Sequence, residues 1–204
     1  MGNSQSIPNI SDTALRDAIQ KEYENVAIHP DKGYHFHTGR EALNRIGYDE
    51  TLYDSLPEQN IASFAGTGNP FSLDPINPGD SVVDVGCGSG FDALIASKLV
   101  GPKGRVTGID MTPAMLRKAR SGAEEIGVTN VEFREGYAED LPLPDEFAHL
   151  IISNGVLNLT PDKKKTLSEW KRVLKPGGRL YIGDILVAKS IPKSSLDDIS
   201  LWTG

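Results

Sequence analysis

The residues best placed to do chemistry stand together in VVDVGCGSGFD, residues 82–92. Glycines at 86, 88 and 90 alternate with Cys87 and Ser89, and Asp84 lies just upstream. A glycine-rich turn lets a ligand come close to the backbone, because no Cβ stands in the way. A helix opening behind it aims unpaired N–H groups at an anionic group. Asp110 follows Gly90 by 20 residues, at the end of a second strand-like run, where a carboxylate can accept both hydroxyls of a ribose. Together these residues call for a nucleoside-containing cofactor. A dinucleotide fingerprint, G-x-G-x-x-G, would need Gly or Ala at position 91, which is Phe91. Cys87 is the one cysteine, so no disulfide can close within the chain, and a reducing cytoplasm is the expected setting. Its place between two glycines reads as packing within the loop.

The elements that must position these residues follow from the hydrophobic rhythm. From Pro78 the chain alternates strand, turn and helix. Val82-Val83-Asp84-Val85 reads as a buried parallel strand. Phe91, Leu94, Ile95 and Leu99 mark a helix face that stops at Gly101-Pro102. Residues 105–109 form the second strand, and Thr112-Pro113 caps a helix ending near Gly127. Strands are expected at 131–134, 149–153 and, after Lys175-Pro176-Gly177-Gly178, at 179–187. Thr160-Pro161 repeats the cap-plus-proline signature before a helix through Leu174. Short connections between alternating elements imply an α/β, Rossmann-like, doubly wound and mainly parallel sheet. Ahead of it, residues 1–10 read as an unstructured leader. Ser11 precedes a helix with Leu15, Ile19, Tyr23 and Val26 on one face, and a second polar-apolar stretch runs over residues 41–64. The expected division is an N-terminal helical extension over 1–63 and a ligand-binding core over 64–204.

Composition narrows the partners. The chain of 204 residues is 38% hydrophobic and 24% charged, in the range of a soluble globular protein. A formal charge of −7 disfavours a nucleic-acid backbone, which wants clustered Lys and Arg. Lys163-Lys164-Lys165 is the one basic run and reads as the wet face of a helix. No apolar run is long enough to span a bilayer. His29, His35 and His37 offer too few ligands for a metal site, so no metal is expected.

GIDMTPAMLRKAR, REGYAEDLPLP, SNGVLNLTPDK and VLKPGGRL resemble, in order and spacing, motifs of the class I S-adenosylmethionine-dependent methyltransferases, over residues 64–188. SNGVLNLTPDK, GTGNP and DMTPAM are most similar to arsenite methyltransferases. The resemblance implies S-adenosyl-L-methionine as cofactor and a small-molecule methyl acceptor. It implies Gly86, Cys87, Gly88 and Gly90 around the methionine and ribose, and Asp84 toward the methionine amino group. Asp110 would take the ribose, Met111 would pack on adenine, and Ala138 and Glu139 would meet the adenine edge. Asn154 would face the methionine amino group and the methyl. No catalytic side chain is named, because methyl transfer needs chiefly alignment and exclusion of water.

The sequence departs from that family at the residues for soft metals. Trivalent arsenic is held by thiolates, yet Thr67 stands in the Gly-Thr-Gly-Asn-Pro stretch where those enzymes carry Cys, and Gly155 where some have Cys. A multi-thiolate site cannot form within one chain that has one thiol. The N-terminal extension is expected to act as a lid over the cofactor. The family sheet ends in an antiparallel hairpin beyond the fifth strand, whereas residues 189–204 read as one short helix. These last strands are therefore missing from the expected fold: either the chain is a truncated form, or a partner such as a second copy of the chain covers the open edge. The alternative function is a cofactor-binding module without turnover of its own, acting with a partner.

Overall fold

The computed structural model describes residues 11–186. The leader over 1–10, the end of the fifth expected strand and the short helix in 189–204 lie outside them. Five strands form one sheet in the order β3-β2-β1-β4-β5, every neighbouring pair parallel. They are β1 Ser81–Val85, β2 Arg105–Asp110, β3 Val131–Glu135, β4 Ala148–Asn154 and β5 Leu174–Gly183. Winding reverses at β1, which has β2 on one side and β4 on the other. That is where open α/β sheets form a crevice at the carboxyl ends of their strands. The register makes those ends level: Val85 pairs with Ile109 on one side and Ser153 on the other. The residues that follow, Gly86, Asp110 and Asn154, therefore emerge along one line.

Six helices accompany the sheet among the described residues: α1 Asp12–Ile28, α2 Gly39–Ile46, α3 Glu58–Ala62, α4 Phe91–Val100, α5 Pro113–Glu125 and α6 Lys163–Val173. Ser11 caps α1, its hydroxyl accepting from the Ala14 N–H at 3.2 Å. The buried face of α1 carries Leu15, Ile19, Val26 and Ala27. Val26 and Ala27 pack with Ala114 and Met115 of α5.

The segment from α2 to Phe64 belongs to the same core as the sheet. Leu43, Tyr48, Tyr53, Ile61 and Phe64 join Phe91, Leu94 and Ile95 of α4 in one buried cluster. Leu43 and Ile61 are fully buried, and each such side chain contributes about 1.5–3 kcal/mol. Tyr48, Phe64 and Phe91 meet ring against ring with centroids 4.7–5.5 Å apart.

Three local expectations need correction. Leu99 points outward while Val100 is buried, because the inner face of α4 turns one residue further before Gly101 ends it. The cap of α6 is Asp162, whose carboxylate accepts from the Lys164 and Lys165 N–H groups, both at 3.0 Å. Thr160 instead donates back to the Leu157 carbonyl at 2.9 Å, closing the preceding turn. Pairing of β5 starts at Leu174 against Ala148, then resumes at Arg179 against Leu150. Lys175-Pro176-Gly177-Gly178 thus bulges out of the strand and does not precede it.

Candidate functional site

A single cavity at the carboxyl ends of β1, β2 and β4 gathers Asp84, Gly86, Cys87, Gly88, Asp110, Met111, Ala138, Glu139 and Asn154. Gly90 is the one expected residue outside its lining. It caps α4 at φ 83, and a Cβ there would stand 2.8 Å from the Ala119 Cβ, so its smallness serves the approach of α4 to α5.

The glycine loop is fixed by backbone hydrogen bonds. Gly86 and Cys87 N–H both donate to the Ile109 carbonyl, at 2.7 and 3.0 Å. Gly86 has φ 73, and a Cβ there would come 2.1 Å from Val156 Cγ2. Around Gly88, by contrast, a Cβ would meet nothing within 4 Å. Asp110 ties the loop to the second strand: Oδ2 accepts from the Gly88 N–H and Oδ1 from the Thr112 N–H, each at 2.8 Å. Each oxygen keeps a lone pair for a further donor. Burial raises the Asp110 pKa, and those backbone donors work against the rise.

Asp84 is 2% exposed, and its Oδ2 has no hydrogen-bond partner among the described residues. Desolvation holds its carboxyl well above the usual range, with the charges of Asp92 and Asp110 adding to the rise. Cys87 is buried within the core cluster, and desolvation followed by Asp110 and Asp84 pushes its thiol upward. A thiol so held is protonated and a poor nucleophile, which agrees with a packing role.

Asn154 lines the cavity, but its amide is taken up by protein. Oδ1 accepts from Thr67 N at 2.8 Å and Gly68 N at 2.9 Å. Nδ2 shares its two N–H groups among the Gly68 carbonyl at 2.7 Å, Asp92 Oδ2 at 3.0 Å and the Tyr48 hydroxyl at 3.1 Å. The side chain thus pins the Gly66-Thr67-Gly68 loop beside the cavity. Thr67 and Gly155 are neighbours: a Cβ on Gly155 would lie 3.5 Å from Thr67 Oγ1.

Residues missed in the sequence close the rest of the cavity. Arg16, Ile19 and Tyr23 of α1 line it. Arg16 donates to Glu139 Oε1 through Nε at 3.0 Å and through a second, shorter contact from Nη2. Its guanidinium also lies 5.2 Å from the Tyr137 ring centroid. Gln20 donates to the Met111 carbonyl at 2.8 Å. Tyr48 and Asp92 were also missed, and the Tyr48 hydroxyl donates to Asp92 Oδ1 at 2.6 Å. Asn60 donates to the Ser89 carbonyl at 2.6 Å while the Ser89 hydroxyl returns a bond of 2.8 Å to the Asn60 carbonyl, clamping the glycine loop from α3. These partners lie 29–123 residues apart in sequence. The helical period of Leu15, Ile19 and Tyr23, and the place of Asp92 just past the glycine loop, were the signals that could have pointed to some of them.

A parallel sheet wound about a glycine loop, with a carboxylate closing the second strand, defines a nucleoside-cofactor domain. The family model described as a methyltransferase domain matches residues 76–202, and the chain belongs to that family. An arsenite methyltransferase of Halobacterium salinarum is 40% identical over 160 residues, 78% of this chain and 41% of that protein. The human arsenite methyltransferase is 40% identical over 130 residues, 59% of this chain and 35% of its own length. The chain thus spans about two-fifths or less of these curated relatives. Among solved structures, an arsenic(III) S-adenosylmethionine methyltransferase from Chlamydomonas reinhardtii is 40% identical over 76% of this chain and 51% of its own, with a TM-score of 0.58. An S-adenosylmethionine-dependent methyltransferase from Aquifex aeolicus is 34% identical over 58% of this chain and 64% of its own, with a TM-score of 0.51. The Rossmann-like methyltransferase fold and S-adenosylmethionine as the cofactor such domains use follow from this family. No helix among the described residues is long and apolar enough to cross a membrane.

Proposed function

We propose that this chain binds S-adenosylmethionine in the cavity of β1, β2 and β4 and transfers its methyl group to a small-molecule acceptor. The observation that carries the reading is Asp84 Oδ2, a buried carboxylate oxygen on the cavity wall without a hydrogen-bond partner among the described residues. Such an atom is costly unless a donor or cation arrives to satisfy it, and an amino-acid ammonium suits it. The other residues fit the same ligand. Asp110 keeps lone pairs for ribose hydroxyls, Gly86, Cys87 and Gly88 let its backbone edge approach, and Met111, Ala138 and Glu139 stand where adenine would pack. Gly90 supports them from behind by keeping α4 close to α5.

The cofactor supplies a methyl group already activated on a sulfonium, so the protein has to align an acceptor and exclude water. Asn154 serves that alignment by fixing Gly66-Thr67-Gly68 at one wall, since its amide oxygen already accepts from the Thr67 and Gly68 N–H groups and is not the acceptor for the methionine ammonium. Helix α1 serves as the lid, with Arg16 on Glu139 and Gln20 on the Met111 carbonyl holding it across the mouth. The arsenite methyltransferase relatives make arsenite the first acceptor to assay. One buried, protonated thiol at Cys87 gives no multi-thiolate cradle, so the acceptor we favour is held by other contacts. We place the protein in the cytoplasm, consistent with its single thiol, and expect a second copy as the partner for the β5 edge.

The test is transfer of labelled methyl from S-adenosylmethionine to a panel of arsenite with thiols, small thiols, amines and phenols. S-adenosylhomocysteine formed in step with one methylated acceptor supports the proposal. Cofactor binding with no transfer to any acceptor would assign the chain to binding alone.

A further inference from the structure

Two buried carboxylates, Asp84 on β1 and Asp92 in the first turn of α4, line the same cavity, exposed to only 2% and 5%. They do not have equal surroundings. Asp92 is held on both oxygens, by the Tyr48 hydroxyl at 2.6 Å and Asn154 Nδ2 at 3.0 Å. Asp84 leaves Oδ2 empty. Among the described residues no Lys, Arg or His forms an ion pair with either. The charged and titratable groups facing them are Asp110 from β2, Cys87 from the glycine loop and Tyr48 from the segment after α2; Asn154 from β4 is neutral. Besides the positive end of α4, neutral donors favour the anions there: the Tyr48 hydroxyl and Asn154 amide for Asp92, and the Ala93 backbone for Asp84. Two like charges in one dry site cannot both ionise cheaply, and sharing a proton is the usual outcome.

We propose that Asp92, fixed by Tyr48 and Asn154 beside Asp84, forms with it a two-carboxylate subsite for the cationic end of the cofactor, and that the pair holds one proton which leaves for solvent as that cation arrives. This rests on the S-adenosylmethionine reading above. The balance is simple: the protonated pair plus a cationic ligand gives the ionised pair with its ligand, plus one proton taken up by buffer. No covalent bond to the ligand changes. The direction of both titrations agrees, with Asp84 well above its ordinary value and Asp92 raised to about 6 by burial.

The experiment is calorimetric titration of the whole chain with S-adenosylmethionine in buffers of different ionisation enthalpy between pH 5.5 and 8. The expected result is release approaching one proton per ligand at the acid end, with affinity tightening by up to about tenfold per pH unit there. Methylthioadenosine, which lacks the amino-acid end and its charge, is expected to bind without proton release. Asp92→Asn should remove most of the release. Tyr48→Phe, which keeps the ring in the core, should retain the release and move its midpoint upward, because a donor to the Asp92 anion is lost. Binding of S-adenosylmethionine with no proton release and flat affinity across the range would overturn the inference while leaving the cofactor reading intact. Equal release with methylthioadenosine would overturn it likewise. No binding of S-adenosylmethionine at any pH would remove the cofactor reading and this inference with it.

Discussion

Replacing Arg16 with alanine should loosen α1 from the cavity mouth without unfolding the sheet. Arg16 retains 28% of its side-chain exposure and Glu139 only 6%, so the ion pair is desolvated mainly on the glutamate side. Hydrogen bonds to charged groups contribute about 1.5–3 kcal/mol, and exposure on the arginine side argues for the lower half of that range. Taking about 2 kcal/mol, the open population of α1 should rise about 30-fold. Val26 and Ala27, packed with Ala114 and Met115, keep the far end of the helix docked. Hydrogen exchange read by mass spectrometry separates the two ends. Amides in the first half of α1 should exchange roughly 30-fold faster, while those of β1 and β4 stay unchanged. Arg16→Lys, which restores a charge without the paired donors, should recover part of the protection. If α1 exchanged within twofold of the native rate in Arg16→Ala, the helix would be held by its apolar face and the polar latch would be irrelevant.

Other perturbations test the rest of the site. Gly86→Ala combines a left-handed backbone, costing about 1–2 kcal/mol, with a Cβ driven to 2.1 Å from Val156 Cγ2; a lower melting temperature and at least tenfold weaker cofactor binding are expected. Cys87→Ala should keep binding within a few fold, and the native thiol should react slowly with a maleimide, since burial holds it protonated; fast labelling would contradict the packing role. Asp92 sits at about 6 in the folded chain against about 3.9 unfolded. The folded form therefore binds the extra proton between these values, and its stability falls as pH rises through them, by up to about 3 kcal/mol. Urea unfolding at pH 4 and pH 7 should show Asp92→Asn gaining on the native chain by an amount of that order, whereas parallel pH slopes would count against the buried carboxylate.

The fold was legible where local chemistry and burial agree. Val82 packs on one face of β1 and Val83 and Val85 on the other because β1 lies at the centre of the sheet, and the glycine loop follows because Gly86 needs a positive φ and no Cβ. The helix starts were less secure. Thr112-Pro113 and Thr160-Pro161 carry the same signature, yet only the first opens a helix directly. Asp162, one residue past the second proline, reaches the free N–H groups with a carboxylate, and that competition is invisible in a cap-plus-proline pattern. Asp84, Asp110 and Asn154 could be placed at strand ends from sequence. What Asn154 does with its amide could not, because its partners come from residues 48, 67, 68 and 92. Arg16 was unreadable because a polar residue in an N-terminal helix looks solvent-facing until the fold lays that helix over a cavity, and Tyr48 because its partners Asp92 and Asn154 lie 44 and 106 residues away.

The most direct test is a calorimetric titration of the whole chain with S-adenosylmethionine and, separately, with NAD. One S-adenosylmethionine bound per chain, with no heat from NAD, is the expected result, and Asp110→Ala should weaken that binding. Binding of NAD, or no binding of S-adenosylmethionine to a folded chain, would contradict the assignment of the cavity.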